Sequence, residues 1–290
     1  MSFADTTRGK IYYEDTGWGV SDNREVVLFF NGWSISARYW IPVIDRLSSQ
    51  YRCLSFDQSG TGRTVCSHSC LSFSVEGFAD EASELLVHLG LLGSRKLHIV
   101  GHSMGGMIAT EICNRHPESL VSATIVNCGI FDDELLKSFH HVLVGGMIDV
   151  AMLFKGVFLL EPFKSLFIDR AIGRPIDQKY RTVFVEDFVA SDTRAATAVG
   201  KFAIDPEIIG KYTAEAVKIG APLLCVVGMA DRTIPPEGMQ TLYNRRIEQS
   251  DFLTRLARFD HAGHLPMLEV LPEFEQALRN HFYAASKLLG

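Results

Sequence analysis

The sequence predicts an α/β fold, with a doubly wound, mostly parallel sheet and an inserted helical lid. Two observations support the sheet: short apolar runs alternate along the chain with stretches of helical periodicity, and each run ends in glycine and polar residues. A third concerns the lid, because the alternation stops between residues 131 and 212, where the sequence becomes helical and rich in Leu, Phe and Met. We therefore expect a core domain made of residues 1–130 and 213–290, with residues 131–212 inserted as the lid.

The first half of the chain contains several predicted strands. They are Ile11–Glu14, which alternates weakly and suits a sheet edge, and the apolar runs Val26–Phe30, Arg52–Phe56, Leu97–Val100 and Leu120–Val126. Helical periodicity separates the later strands, from Tyr39 to Leu47, from Val75 to Leu89 behind a predicted cap at Ser74, and from Met107 to Cys113. Strands that alternate with helices in this way form right-handed crossovers and a parallel sheet.

The second half resumes the same pattern after the insertion. Strands are predicted at Pro222–Gly228 and Phe252–Phe259, and helices from about Pro235 and over Pro272–Leu288. Within the insertion, charged residues interrupt every apolar stretch before it reaches the roughly 18 uncharged residues that a membrane span needs. We therefore predict no stable membrane insertion.

Composition narrows the possible partners. Of the 290 residues, 47% are hydrophobic, enough for a large core, and the net charge of −6 with a pI near 5.9 leaves no basic surface for nucleic acid. Asp5, Arg8 and Lys10 stand where a secretion signal would need apolar residues, so a cytoplasmic location is expected. Cys66 and Cys70 flank a histidine, but no second ligand pair follows nearby, so neither a metal site nor another cofactor is predicted.

The stretch Gly101-His102-Ser103-Met104-Gly105 joins a predicted strand directly to a predicted helix. This is a G-x-S-x-G turn, in which a strand reverses sharply and glycine, having no Cβ, relieves the crowding. The turn would place the Ser103 hydroxyl at the carboxyl end of the sheet, with the Met104 N–H available to a developing negative charge. Ser103 is therefore the candidate nucleophile.

Asp231 and His264 also follow predicted strands, and parallel strands bring their carboxyl ends to one edge of a sheet. An imidazole can remove the serine proton, and a carboxylate can hold the imidazole tautomer and stabilise its cation. The order serine, acid, histidine along the chain fits the same G-x-S-x-G architecture. Asp205 and Asp260 are rival acids and His261 is a rival base, although Asp231, between a strand and a helix, is favoured as the acid.

Several motifs together resemble the α/β-hydrolase fold family over nearly the whole chain. They are NGW at Asn31, DQSGTGRT at Asp57, GHSMGG at Gly101, GMADRTIP at Gly228 and AGHLPMLEVLPEF at Ala262. The resemblance favours His264 over His261, because the glycine and histidine pair belongs to the family motif. It also implies an oxyanion hole formed by the N–H groups of Trp33 and Met104. The family usually carries histidine where this chain has Asn31, which is expected to hydrogen-bond the same turn.

Three further polar residues near these motifs are predicted to be structural. His98 lies within a strand, and His102 occupies the variable position of the turn. Asp57 is expected to shape its own turn rather than to bind substrate.

A hydroxyl nucleophile beside an oxyanion hole indicates a serine hydrolase that cleaves an ester or thioester through an acyl-enzyme. The apolar residues of the insertion favour a small hydrophobic acyl or aryl substrate, in a cleft lined by Trp33, Phe139, Met147 and Phe154. Carbon–carbon hydrolases, cofactor-free perhydrolases and lyases with the same three residues stay open, as does a ligand receptor of a signalling branch. The sequence does not predict an oligomeric state.

Overall fold

The computed structural model describes residues 2–17, 23–67, 73–93, 96–128, 145–146 and 148–289. Within these residues, nine strands form one sheet. The strands are β1 Ser2–Thr6, β2 Gly9–Asp15, β3 Val26–Phe30, β4 Arg52–Phe56, β5 Val65–Cys66, β6 Leu97–His102, β7 Leu120–Val126, β8 Leu223–Gly228 and β9 Thr254–Phe259. Their order is β1-β2-β4-β3-β6-β7-β8-β9, with β5 beside β2. Pairing is parallel from β4 to β9 and antiparallel at β1, β2 and β5, which confirms the predicted fold class.

The antiparallel edge of the sheet differs from the prediction. Ile11–Glu14 was expected at the edge, but β2 is covered by β1, whose residues pair with β2 from Ser2↔Tyr13 to Thr6↔Gly9. In β1 only Ala4 is fully buried, so the strand lacks the apolar run by which the inner strands are recognised. Gly9 has φ 133°, a left-handed value that glycine tolerates, and it closes the hairpin between the two strands.

Helices cover both faces of the sheet. They are α1 Ile41–Leu47, α2 Val75–His88, α3 Gly105–Arg115, α4 Phe163–Ala171, α5 Gln178–Ala190, α6 Thr193–Ile204, α7 Pro206–Val217, α8 Glu237–Gln249, α9 Pro266–Glu269 and α10 Leu271–Leu289. Alternate residues of β3 show the two layers: Val26 and Leu28 pack in the cluster that contains α2, α3 and α8, whereas Val27 and Phe29 pack with α1 and α10. A strand buried on both faces must be apolar throughout, as this one is.

Four helices, α4 to α7, lie between β7 and β8, and residues 148–153 and 155–159 of the same stretch are also helical. Helix α6 contacts the loop after β4, where the Asp192 N–H donates to the Gly60 carbonyl at 2.8 Å. A Cβ on Gly60 would lie 2.2 Å from the Cβ of Ala195, so only glycine permits this approach. No helix in the described ranges is long and apolar enough to cross a lipid bilayer.

Two buried histidines on the α10 face should make the protein sensitive to acid. His98 on β6 and His281 on α10 are fully buried, and burial lowers the pKa of both, that of His281 to about 3. A histidine whose folded pKa lies below its unfolded value near 6.5 binds its proton mainly in the unfolded state. Its contribution to stability is complete above pH 6.5 and is lost as the pH falls from 6.5 towards 3.

We therefore expect His281 to account for about 2 kcal/mol of the unfolding free energy lost between pH 6.5 and 5. The measurement is urea unfolding at several pH values for the wild type, His281→Asn and the exposed control His88→Asn. Burial raises the pKa of Glu81 to about 7, so protonation of Glu81 stabilises the fold as the pH falls and opposes the effect of His281. The quantity to compare is therefore the difference in unfolding free energy between wild type and variant at each pH. Parallel pH curves for wild type and His281→Asn would contradict the prediction.

Candidate active site

Ser103 lies in a strained turn between β6 and α3. Its φ is 55°, in the left-handed region that residues with a Cβ rarely occupy. A Cβ on Gly101 would lie 2.4 Å from the Gly105 carbonyl oxygen, and a Cβ on Gly105 would lie 2.5 Å from that of Asn31. Both glycines are therefore required by backbone crowding, as the sequence predicts. Ser103 is partly exposed, and its hydroxyl has no hydrogen-bond partner within the described residues.

The structure brings Asp231 and His264 together. The carboxylate Oδ2 of Asp231 lies 2.7 Å from His264 Nδ1, and both side chains are buried. Its other oxygen accepts the N–H groups of Thr233 and Ile234 at 2.7 and 3.0 Å, which fixes the carboxylate. A carboxylate only accepts, so His264 Nδ1 carries the proton when the ring is neutral and Nε2 is left with its lone pair. The Nε2 atom is thereby able to act as a base.

The rival residues are placed less favourably. Asp205 lies before α7 and uses its carboxylate to cap that helix, accepting from the N–H groups of Glu207 and Ile208. Asp260 and His261 are exposed to solvent. The geometry therefore favours Asp231 and His264, which hydrogen-bond each other.

The predicted oxyanion donors are available. The backbone N–H groups of Trp33 and Met104 have no acceptor within the described residues. Met104 precedes the first residue of α3, where helix geometry leaves N–H groups unpaired and the helix dipole favours negative charge. Trp33 is held by its indole, which donates to the Ala196 carbonyl at 2.7 Å. Ser34, the next residue, is also left-handed with φ 57°.

Asn31 is expected to hydrogen-bond its own turn, but its hydrogen bonds go to residues at the end of β4 and in the loop that follows. Its side-chain amide donates to the Phe56 carbonyl at 2.8 Å, and its backbone N–H donates to Gln58 Oε1 at 2.6 Å. These contacts join the loop after β3 to the loop after β4. Asp57 does shape its turn, because its buried carboxylate accepts from the N–H groups of Ala37 and Arg63 at 2.8 Å each.

His102 and Asn127 hold the backbone of the candidate base. The His264 carbonyl accepts from His102 Nε2 at 2.8 Å and from Asn127 Nδ2 at 3.1 Å. On its other side, His102 Nδ1 lies 3.1 Å from the Tyr39 hydroxyl, which itself accepts the Gly32 N–H at 3.2 Å. Burial and, to a lesser extent, repulsion from the neighbouring His264 hold the pKa of His102 well below its usual range. The ring is therefore neutral, and it joins the His264 carbonyl to the Tyr39 hydroxyl. The sequence motif around Ser103 shows no sign of these partners.

The predicted substrate-binding residues are only partly described. Phe139 and Met147 lie outside the described residues. Phe154 is 59% exposed. Trp33 is half-buried and packs edge to face on Phe188 of α5, with ring centroids 5.4 Å apart. The insertion therefore contacts the loop that carries a candidate oxyanion donor.

Comparison with known proteins places these features in a family. The sequence profile of the α/β hydrolase fold matches residues 25–270. A protein of Caulobacter segnis, provisionally named carbamate hydrolase RutD, is 35% identical over 117 residues, which are 40% of this chain and 42% of that protein. A protein of the same provisional name from Yersinia enterocolitica is 30% identical over 131 residues, 45% of each chain. The chain thus matches less than half the length of these curated relatives.

Solved structures agree on the fold. An esterase from Exiguobacterium antarcticum superposes with a TM-score of 0.76 at 18% identity, over 97% of this chain and 99% of that one. An enol-lactonase from Burkholderia xenovorans gives a TM-score of 0.76 at 18% identity, over 98% and 100% of the two chains. Identities this low bear on the fold and not on the substrate. With a profile match over most of its length and this shared architecture, the chain belongs to the α/β hydrolase fold family.

Proposed function

We propose that this protein is a serine hydrolase that cleaves a carboxylic ester or thioester through an acyl-enzyme. One observation carries the proposal: the hydrogen-bonded Asp231 and His264 pair stands at the same edge of the sheet as Ser103, a strained residue whose hydroxyl is unpaired within the described residues. Strain of this kind costs about 1–3 kcal/mol, persists where the surrounding structure enforces it and is often found at active sites.

In the proposed reaction, the Ser103 hydroxyl attacks the carbonyl carbon while His264 Nε2 takes the hydroxyl proton. Asp231 stabilises the imidazolium, and the N–H groups of Trp33 and Met104 bind the oxyanion of the tetrahedral intermediate. Collapse breaks the bond to the alcohol or thiol, which leaves with the proton from His264. His264 then takes a proton from a water molecule, which attacks the acyl carbonyl. Collapse of this second intermediate releases the acid, and the proton returns to the Ser103 oxygen.

The aromatic composition of the insertion supports a hydrophobic acyl or aryl group. Rings of Phe158, Phe167 and Phe188 pack against one another with centroids 4.6 to 5.5 Å apart, and Trp33 joins them through Phe188. Apolar walls with few polar groups favour acyl and aryl chains over sugars or peptides. In this proposal residues 131–212 serve as a lid over Ser103.

Hydrolysis of a carbamate is a second candidate, favoured by the provisional names of the Caulobacter and Yersinia relatives. A carbamate presents the same kind of carbonyl to Ser103, but its nitrogen gives a carbamoyl-enzyme instead of an acyl-enzyme. The two candidates share the catalytic residues and differ in the group that the lid must accommodate.

The test is a series of p-nitrophenyl esters from acetate to octanoate, with a p-nitrophenyl carbamate measured alongside. An apolar acyl site should raise kcat/KM by roughly fourfold for each added CH₂, reflecting about 0.8 kcal/mol of burial. A flat or falling series would contradict the hydrophobic acyl group, and faster turnover of the carbamate would favour the second candidate. Absence of turnover and of fluorophosphonate labelling, with stabilisation by ligand alone, would instead indicate a receptor.

A further inference from the structure

Glu269 places a buried carboxylate beside the candidate base. Three backbone N–H groups converge on its Oε2: those of Gly173 at 2.6 Å, Arg174 at 2.8 Å and Gly263 at 2.8 Å. The Leu265 N–H donates to Oε1 at 3.0 Å. Glu269 therefore binds the residues on both sides of His264 and the segment that connects α4 to α5.

No lysine, arginine or histidine pairs with this carboxylate within the described residues, and only 8% of the residue is exposed. A buried anion is costly unless its hydrogen-bonding capacity is met, and here four amide dipoles supply it. Four donors on one carboxylate are more than a local helix cap requires, since Leu265 alone belongs to the start of α9. The other three join different parts of the chain.

The same two segments also touch directly. The His264 N–H donates to the Ala171 carbonyl at 2.7 Å, at the end of α4. A Cβ on Gly173 would lie 2.9 Å from the Gly263 nitrogen, and a Cβ on Gly263 would lie 2.5 Å from the Gly173 nitrogen. The contact is backbone against backbone, so a displacement of the 171–174 segment must also displace the loop that carries His264.

We propose that Glu269 is a positioning residue, which holds His264 in register with the inserted helices through its four backbone hydrogen bonds. The proposal rests on His264 being the base of the proposed function. It follows that the insertion takes part in placing the imidazole and does not only cover the site. Within the described residues Glu269 makes no hydrogen bond to Ser103 or to the Asp231 carboxylate, so its effect passes through the backbone of residues 263–265.

The sharpest variant is Glu269→Gln, which keeps the shape of the side chain. An amide has one acceptor oxygen, so its NH₂ group must face either the Leu265 N–H or the three donors at Oε2. We expect kcat and the rate of fluorophosphonate labelling to fall by roughly 10²-fold, because small errors in the position of a catalytic group have effects of this size. KM should change by less than about threefold, since Glu269 does not line the proposed cleft. Glu269→Asp, which keeps both oxygens, should recover part of the loss.

Glu273→Gln is the matched control, because Glu273 is exposed one turn later on the neighbouring helix. It should behave as the wild type. A second readout is the NMR resonance of the proton on His264 Nδ1, which should shift or broaden in Glu269→Gln and stay unchanged in the control. If Glu269→Gln fails to fold, Glu269→Asp is measured with the same readouts, because its shorter side chain keeps the charge but cannot reach all four donors at once.

The outcomes separate the two proposals. A wild type that is labelled, with Glu269→Gln labelled equally fast and its His264 resonance unchanged, overturns the positioning role and leaves the proposed function standing. An unlabelled wild type overturns the proposed function, whereas a shifted resonance in the variant still supports the positioning role. A lower melting temperature with unchanged kinetics per active site would assign Glu269 to stability alone and overturn the proposal.

Discussion

Replacement of Ser103 by alanine should lower kcat by about 10⁶-fold, the size of effect that follows loss of the nucleophile in enzymes with this mechanism. Alanine removes only the hydroxyl and retains the Cβ, so the strain at φ 55° is the same in both proteins. The fold should therefore be preserved, and any remaining acceleration would come from the oxyanion donors and binding.

The measurement is kcat on the best p-nitrophenyl ester, together with covalent labelling by a fluorophosphonate followed by intact mass. Ser250→Ala is a suitable control, because Ser250 precedes β9 and so lies towards the amino ends of the parallel strands, away from Ser103 at their carboxyl ends. The wild type and the control should gain one label per chain, and Ser103→Ala should gain none. Activity retained in Ser103→Ala would exclude Ser103 as the nucleophile.

Replacement of Arg246 by methionine should lower the free energy of unfolding by about 3–5 kcal/mol. Arg246 is fully buried on α8, and its guanidinium donates to four backbone carbonyls. Nη1 bonds Ala216 at 3.2 Å and Val217 at 2.6 Å, and Nη2 bonds Ile219 at 2.7 Å and Ala221 at 2.6 Å.

These carbonyls belong to the last turn of α7 and to the chain that leads into β8. Helix geometry leaves the final carbonyls of a helix without partners, and the helix dipole favours a cation there. Arg246 of α8 therefore caps the carboxyl end of α7. Methionine retains the aliphatic bulk but would leave buried acceptors unpaired. Lysine offers one nitrogen in place of the planar fork, so Arg246→Lys should restore little of the loss.

Urea unfolding of Arg246→Met and of Arg245→Met provides the comparison, because Arg245 is the adjacent, exposed residue of the same helix. We expect a marked fall in the midpoint for the first variant and a change within about 0.5 kcal/mol for the second. Equal stability of the two variants would show that the guanidinium contributes nothing beyond its methylene groups. Activity per folded molecule should be unaffected, since Arg246 makes no hydrogen bond to the candidate site within the described residues.

The sequence alone predicted the parallel part of the sheet, because inner strands buried on both faces must be continuously apolar. Arg52–Phe56 and Leu120–Val126 have the predicted bounds, and Ser74 caps α2 by accepting the Gly77 N–H at 3.2 Å. The strained turn at Ser103 was equally predictable, because glycine at two defined positions indicates backbone crowding. Asp231 and His264 could be nominated because each directly follows a strand of the same sheet.

Only the tertiary structure decided which groups hold those residues in place. Glu269, His102 and Asn127 all bind the backbone around His264. His102 and Glu269 lie within motifs of the sequence, but a motif does not show which backbone group a side chain bonds. The contact between residues 171–174 and the His264 loop joins positions about ninety residues apart, and is specified by the absence of a Cβ at Gly173 and Gly263. Likewise β1 is a strand because β2 offers it an unpaired edge, and its own sequence, with one buried alanine, does not require it.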